Sequence, residues 1–308
     1  MAKFYDSVAD LVGETPMVNL SRLAKKHKCK AVIMAKCECY NPFFSVKDRI
    51  ALSMIEVLEK NNKIKKDTVL LEATSGNTGV ALAGICAARG YKLVIVMPEG
   101  VSKERIFLIK HFGAEVILTP SEDGMIGAVR KAELLASKNK DVVMFRQFEN
   151  EANPNAHRFG TSMEIFEALD GNVDAIVAGV GTAGTIAGIA STLKSNNPDL
   201  KVFAVEPKES AVLNGKESGK HKIFGIGAGF VPPFYEKDLV DEVVDVSSDD
   251  AIEFAKEAAL VEGLPIGISA GAALKAAVDV AKKSEMKDKT VVVILPDAVE
   301  RYISVLSD

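Results

Sequence analysis

The sequence predicts an α/β fold of two domains, each a mostly parallel twisted sheet flanked by helices, and three observations predict it. Short apolar runs, nearly unbroken, recur along the chain and suit strands covered on both faces. Between them lie segments of helical length, the connection that parallel neighbours require. The alternation is interrupted at the polar, turn-rich stretch Gln147-Phe148-Glu149-Asn150-Glu151-Ala152-Asn153-Pro154-Asn155 and then restarts. A chain of 308 residues is long enough for two such units. The expected division is a smaller, mobile domain at 40–150 and a larger one made of 1–39 and 151–308.

Taken in order, residues 1–30 read as a leading segment with a turn at Gly13-Glu14-Thr15-Pro16 and a solvated helix end at Lys25-Lys26-His27-Lys28. Ala31 to Lys36 is a strand. It leads to Asn41-Pro42-Phe43-Phe44-Ser45, a turn that ends in a good N-cap, and then to a helix that starts with Lys47. Asp67 to Glu72 is a strand, Thr74 to Gly79 a loop, and Val80 to Arg89 a helix. The pattern repeats as strand 92–97, helix 102–112, strand 115–118, helix 124–138 and strand 142–145. After the polar stretch come helix 157–168, strand 173–178, the loop Gly179 to Thr185 and a helix from Ile186. Strand 202–205 follows. Gly225-Ile226-Gly227-Ala228-Gly229-Phe230-Val231-Pro232-Pro233 is a glycine loop, since the prolines forbid a helix. Strand 243–246, helix 248–263, a small-residue loop at 268–271, helix 272–283 and strand 290–295 complete the chain.

Composition narrows the partners. Hydrophobic residues make up 48% and charged ones 26%, ordinary for a globular protein, and the net charge of −4 offers no basic field to nucleic acid or an anionic membrane. No apolar run approaches ~18 residues, and Met1 to Asp6 lacks the apolar core of a signal peptide. The expectation is a cytoplasmic protein acting on small molecules. The cysteines at 29, 37, 39 and 86 are too few for a disulfide framework, and no metal site is expected because no second CxxC or histidine pair has ligand spacing. The four histidines form no Ser-His-Asp or HExxH arrangement.

Three stretches carry chemistry. At a helix start, Lys47 feels the positive end of the macrodipole and the neighbouring Arg49, which disfavour an ammonium and favour the neutral amine that Schiff-base chemistry uses. Read alone, Lys-Asp-Arg is also a surface lysine on an amphipathic helix. Gly179-x-Gly181-x-x-Gly184 follows a strand, opens a helix and has Glu206 at the end of the next strand, which satisfies a dinucleotide fingerprint. Its hydroxyls at Thr182 and Thr185 equally suit a terminal phosphate. Thr74-Ser75-Gly76-Asn77-Thr78-Gly79 offers amides, three hydroxyls and a carboxamide in one short loop, a cradle for a carboxylate. Together with Ser269, these stretches describe a pyridoxal phosphate site.

With Gln147-Phe148, Asn153-Pro154, Gly225 to Gly229 and Gly267-Ile268-Ser269 in their order, the chain resembles the cysteine synthases (O-acetylserine sulfhydrylases) of the tryptophan synthase β-subunit-like family. The likeness runs from Asp6-Ser7 to Glu300-Arg301-Tyr302. It implies a pyridoxal 5'-phosphate enzyme with the cofactor in the interdomain cleft. Lys47 would form the internal aldimine and serve as acid and base at the substrate α-carbon. Asn77 would bond the phenolic oxygen, and Gly181, Thr182, Ala183, Gly184 and Thr185 the phosphate. Ser269 would face the pyridine nitrogen. Thr74, Ser75, Thr78 and Gln147 would hold the substrate carboxylate, and Gly227 would lie by its amine.

The implied reaction is β-replacement, forming L-cysteine from O-acetyl-L-serine and sulfide through an α-aminoacrylate. The alternative keeps the site and consumes cysteine, releasing hydrogen sulfide with lanthionine, serine or cystathionine as product. The implied partners are the amino acid, sulfide or another thiol, a second copy in a homodimer, and the C-terminus of a serine acetyltransferase. One departure stands out: Ala298-Val299 occupies a place where the family commonly has Ser-Gly. A valine there is expected to alter the path or packing of the turn and to broaden the range of donors.

Overall fold

The computed structural model describes residues 4–306. In chain order it begins with β1 (Met17–Asn19), α1 (Ser21–Lys26), β2 (Val32–Cys37), α2 (Lys47–Lys60), β3 (Val69–Ala73), α3 (Asn77–Arg89), β4 (Lys92–Pro98) and α4 (Lys103–His111). Next come β5 (Glu115–Thr119), α5 (Gly124–Lys138), β6 (Val142–Met144), α6 (Ala152–Ala156), α7 (Ser162–Ala168), β7 (Ala175–Gly179) and α8 (Gly184–Asn196). The chain closes with β8 (Lys201–Pro207), β9 (Glu242–Val246), α9 (Ser248–Glu262), α10 (Ile268–Lys282), β10 (Thr290–Leu295) and α11 (Ile303–Leu306).

These elements form two compact units. The first holds the segment that ends at Val12 together with Asn41–Asn153, and the second holds Gly13–Tyr40 and the chain from Pro154. The segment up to Val12 thus belongs with the smaller unit, not with the larger one as the sequence suggests. Its one turn of 3-10 helix, Val8–Leu11, is closed by a capping box between Ser7 and Asp10, and Ala9 is buried. Such a turn is too short to announce a packing partner.

In the first unit the strand order is β5-β4-β3-β6, all parallel. The chain steps outward from β3 to β4 to β5, then returns to β6 on the other side of β3. That reversal makes a switch point, and open parallel sheets bind ligands at the carboxyl ends of the strands beside it. The loops that leave those two ends carry Thr74 and Gln147.

The second unit repeats the device with the order β1-β2-β10-β7-β8-β9, parallel except for β1. Here the chain steps from β7 to β8 to β9 and returns to β10, so the switch lies between β7 and β10. The loop after β7 carries Gly181. Alternate residues of β7 and β10 enter different cores: Ala175, Val177, Val291, Val293 and Leu295 on one face, Ile176, Ala178, Val292 and Ile294 on the other. Continuous apolar strands are the consequence of this two-sided burial. The edge strand β1 was not expected, because Met17-Val18-Asn19 is too short to show a period.

Three helices start earlier than the sequence suggests, at Asn77, Gly184 and Ile268. Small and polar residues fill their first turns, where propensity matters little because the amides have no intrahelical acceptor in any case.

Candidate active site

Lys47 opens α2 because the turn before it is pinned from inside the helix. The buried Asp48 carboxylate accepts the Phe43 N–H at 2.6 Å and the Ser45 hydroxyl at 3.3 Å. Phe44 is thereby held at a left-handed φ of 63°. Ser45 lies one residue before the N-cap position, yet its Oγ accepts the Lys47 N–H at 3.3 Å, so it does the capping expected of it. The lysine is half-buried at the first position of a 14-residue helix.

In the same unit, Thr74 and Thr78 are buried while Ser75, Gly76 and Asn77 are half-buried. The loop proper is only Thr74 to Gly76, and Asn77 and Thr78 sit in the first turn of α3. The Thr74 Oγ1 accepts the Gly76 N–H at 3.2 Å and shapes the turn. Thr78 donates its hydroxyl to Gln147 Oε1 at 2.8 Å, which brings together two residues that lie far apart in sequence. With Oε1 taken, the NH₂ of Gln147 remains as a donor for an anion.

The second unit gathers another set. Gly181 meets the glycine loop, since a Cβ there would lie 2.4 Å from Gly225 O. A Cβ on Gly225 would in turn lie 3.9 Å from Ser269 Oγ, so the loop after β7, Gly225 and Ser269 share one neighbourhood. Ala183 holds a left-handed φ of 66° and turns the chain into α8, whose first amides belong to Gly184 and Thr185. Ser269 is buried in the first turn of α10.

Gly227 has φ 68° and donates its N–H to Val180 O at 2.9 Å. Its carbonyl lies 3.1 Å from His221 Nε2, and His221 Nδ1 accepts from Ile223 N–H, so Nε2 is the donor. One lone pair of the Gly227 carbonyl is left for an ammonium.

Sequence reasoning missed two residues. His157, fully buried on a π-helical turn (His157–Thr161), places Nδ1 at 2.9 Å from Thr161 Oγ1 and Nε2 at 3.2 Å from Thr185 Oγ1. It fixes the hydroxyl that the phosphate loop presents. Glu72, near the end of β3, is buried and held at about 8 by desolvation, which outweighs the backbone amides of Arg146, Gln147 and Ala73 and the Arg146 charge. An acid inside an otherwise apolar strand was the available signal.

The thiols are inert by comparison, since burial raises Cys37 to about 12 and Cys39 to about 11. Among the described residues no cluster of His, Cys, Asp or Glu could hold a metal ion. Glu206, the acid that a dinucleotide loop would need, is buried and uses both oxygens on the amides of Leu213 and Asn214, at 2.8 and 3.0 Å. Both oxygens are thus engaged in holding the loop that follows β8.

The first unit thus presents a lysine at a helix start and the second presents amides and hydroxyls at another. The chain belongs to the pyridoxal-phosphate-dependent enzyme family, whose pattern it matches over residues 8–297. A cysteine synthase of Staphylococcus aureus is 44% identical over 300 residues, 97% of this chain and 96% of that protein. The cysteine synthase structure from Entamoeba histolytica agrees with a TM-score of 0.95 at 40% identity, covering 98% of this chain and 90% of that one. A hydrogen sulfide-producing enzyme from Fusobacterium nucleatum agrees at 0.93 with 43% identity, covering 98% and 99%.

Proposed function

We propose that the chain makes L-cysteine from O-acetyl-L-serine and sulfide, releasing acetate. The observation that carries this reading is the 44% identity to a cysteine synthase along nearly the whole of both chains. The residues described above fit it. Thr182, Thr185 and the first amides of α8 hold the cofactor phosphate, where the positive end of a 13-residue helix favours a dianion. Ser269 would face the ring nitrogen as a neutral partner, and Asn77 would bond the phenolic oxygen. Pyridoxal phosphate, when bound, supplies the electron sink that lets the Cα–H bond break and the β-substituent leave.

Lys47 anchors the cofactor through its amine. With its amine free, Lys47 would remove the Cα proton and later return it. Thr74, Ser75, the backbone N–H of Thr78 and the NH₂ of Gln147 would bind the substrate carboxylate and fix the Cα–H bond toward Lys47. The Gly227 carbonyl receives the amine. Lys47→Ala is expected to lower turnover by more than about 10³-fold, since it removes both anchor and base, while the fold survives. Assay of cysteine formation with circular dichroism checks this, and near-parental turnover would sink the assignment of Lys47.

A second reading, cysteine consumption with release of sulfide, has one observation in its favour: the likeness to the hydrogen sulfide-producing enzyme covers 99% of that chain. Sulfide released from L-cysteine, alone and with a second thiol, is to be compared with cysteine formed from O-acetyl-L-serine. If O-acetyl-L-serine turns over and cysteine yields no sulfide, the first reading stands alone. We further propose a cytoplasmic homodimer that docks a serine acetyltransferase C-terminus. The exposed Phe159 and Met163, four residues apart on the 157–168 segment, support self-association. Sedimentation and inhibition by an acetyltransferase tail peptide test these two points.

A further inference from the structure

We propose that His157 is a positioning residue of the phosphate loop: Thr161 holds its ring as the Nε2–H tautomer, and the ring donates to Thr185 Oγ1, so that the Thr185 hydroxyl proton is directed at the cofactor phosphate. This rests on the reading of Thr182, Thr185 and the first amides of α8 as that phosphate site. His157 is fully buried, with Nδ1 at 2.9 Å from Thr161 Oγ1 and Nε2 at 3.2 Å from Thr185 Oγ1. Thr161 is fully buried as well, whereas Thr185 is half-buried in the first turn of α8. The imidazole therefore links a hydroxyl inside the protein to one at a helix start.

The fold fixes this link along α8. Gly188, three residues after Thr185, lets the helix approach the π-helical turn: a Cβ there would lie 2.3 Å from Pro154 O and 2.7 Å from His157 Cβ. Beside this contact Arg158 Nε donates to Ser191 Oγ at 3.2 Å, and the Arg158 carbonyl accepts the hydroxyls of Ser162 at 2.6 Å and Thr192 at 3.1 Å. Proton counting gives the link a direction. A neutral imidazole donates through one nitrogen and accepts through the other, and a hydroxyl has one proton to give. With the proton on Nε2, Thr161 donates to Nδ1, Nε2–H donates to Thr185 Oγ1, and the Thr185 proton is left for an anion in front of the α8 amides. With the proton on Nδ1 both bonds reverse: the buried Thr161 hydroxyl loses its acceptor on the ring, and Thr185 gives its proton to Nε2. The first arrangement supplies a donor to a phosphate dianion, and the second withholds it.

The test uses the holoenzyme labelled with 15N at its four histidines. His157 is identified by the signals missing from His157→Gln or, if that variant does not fold, by elimination of the others. Long-range 15N–1H correlation is expected to show a protonated Nε2 and an unprotonated Nδ1. A proton on Nδ1 overturns the inference, whichever variants fold. Asparagine and glutamine then separate the two ring positions, since the Asn amide nitrogen reaches the place of Nδ1 and the Gln one that of Nε2. On dialysis of the holoenzyme, His157→Gln is expected to lose cofactor within about twofold of the parental rate and His157→Asn about fivefold faster, with a displaced 31P resonance of the bound phosphate. In a Thr185→Val background the same His157→Asn change adds less than about twofold, because the hydroxyl it serves is gone. Asn as retentive as the parent, Gln as weak as Asn, or a fivefold effect that persists without the Thr185 hydroxyl would show that His157 only packs. If Thr185→Val alone retains cofactor as the parent does, the phosphate reading falls and the proposal with it. A weakened Thr185→Val beside a parental His157→Asn leaves that reading standing and sinks only the proposal.

Discussion

Two strand-to-helix loops, each at the switch point of its own sheet, are built in different ways. After β7 the backbone is closely packed. Gly181 sits where a Cβ would lie 2.4 Å from Gly225 O, Ala183 is left-handed, and His157 fixes the Thr185 hydroxyl. After β3 the side chains do the work. Thr74, Ser75 and Thr78 offer hydroxyls, and a Cβ on Gly76 would meet nothing within 4 Å. The first loop is fixed by its neighbours and suits a cofactor that stays. The second is open toward its ligand and suits a substrate that must leave in every cycle.

The supports differ as well, and this gives the largest expected effect. The strand that leads to the second loop carries Glu72, raised from 4.5 to about 8 by burial. Between these values the folded state keeps a proton that the unfolded chain has lost. Stability therefore falls as pH rises from about 4.5 to 8 and levels off above. Glu72→Gln is expected to flatten this slope and to exceed the parent at pH 8 by on the order of a few kcal/mol, with near equality at pH 4.5. Glu56 and Glu206, also raised by burial, add slope of the same sign, so the measurement is the difference between parent and variant in urea melts. Equal slopes would show that Glu72 is ionised in the fold.

Next comes the steric contrast. Gly181→Ala drives a methyl into a carbonyl oxygen and is expected to destabilise the protein by about 1–3 kcal/mol and to lower cofactor content. A parental melt with full cofactor would mean that the Gly225 loop yields easily, and the rigid half of the comparison would be lost.

A smaller and more selective pair separates the ligands. Thr185→Ala should weaken cofactor retention and Thr78→Ala should weaken amino-acid binding, each by about 1 kcal/mol or somewhat more, with little crossover. Cofactor release by dialysis and titration with O-acetyl-L-serine measure the two. If both variants lose the same ligand, the division of labour between the loops is wrong.

Much of this was legible in the sequence, for reasons that differ by element. Strands buried on both faces, such as β3, β4 and β10, show as unbroken apolar runs, and α5 stands out from Gly124 to Lys138 by its period and flanking turns. The loops were found because hydroxyls and glycines cluster there. What the sequence concealed was where loop becomes helix: Asn77, Gly184 and Ser269 look like loop residues and lie in first turns. His157 was missed because its partner Thr185 is distant in sequence and no local period points to it. The departure at Ala298-Val299 was readable, and the structure shows how valine is accommodated. Val299 opens a 3-10 turn at negative φ and donates its N–H to Pro265 O at 2.9 Å, so the turn needs no glycine there.

Gly76→Ala gives the smallest effect and the sharpest test of the contrast. Gly76 is the N-cap of α3 with φ −120° and ψ −157°, a backbone state that alanine enters without strain, and the added methyl would touch no protein atom. Stability should therefore change by no more than about 0.5 kcal/mol, and cofactor content not at all. If a glycine is present here because a ligand approaches the backbone, the methyl meets the substrate carboxylate instead. The apparent affinity for O-acetyl-L-serine should then drop while the melting curve stays in place. A variant with parental affinity would mean that the carboxylate binds elsewhere, and the open loop after β3 would be an ordinary turn.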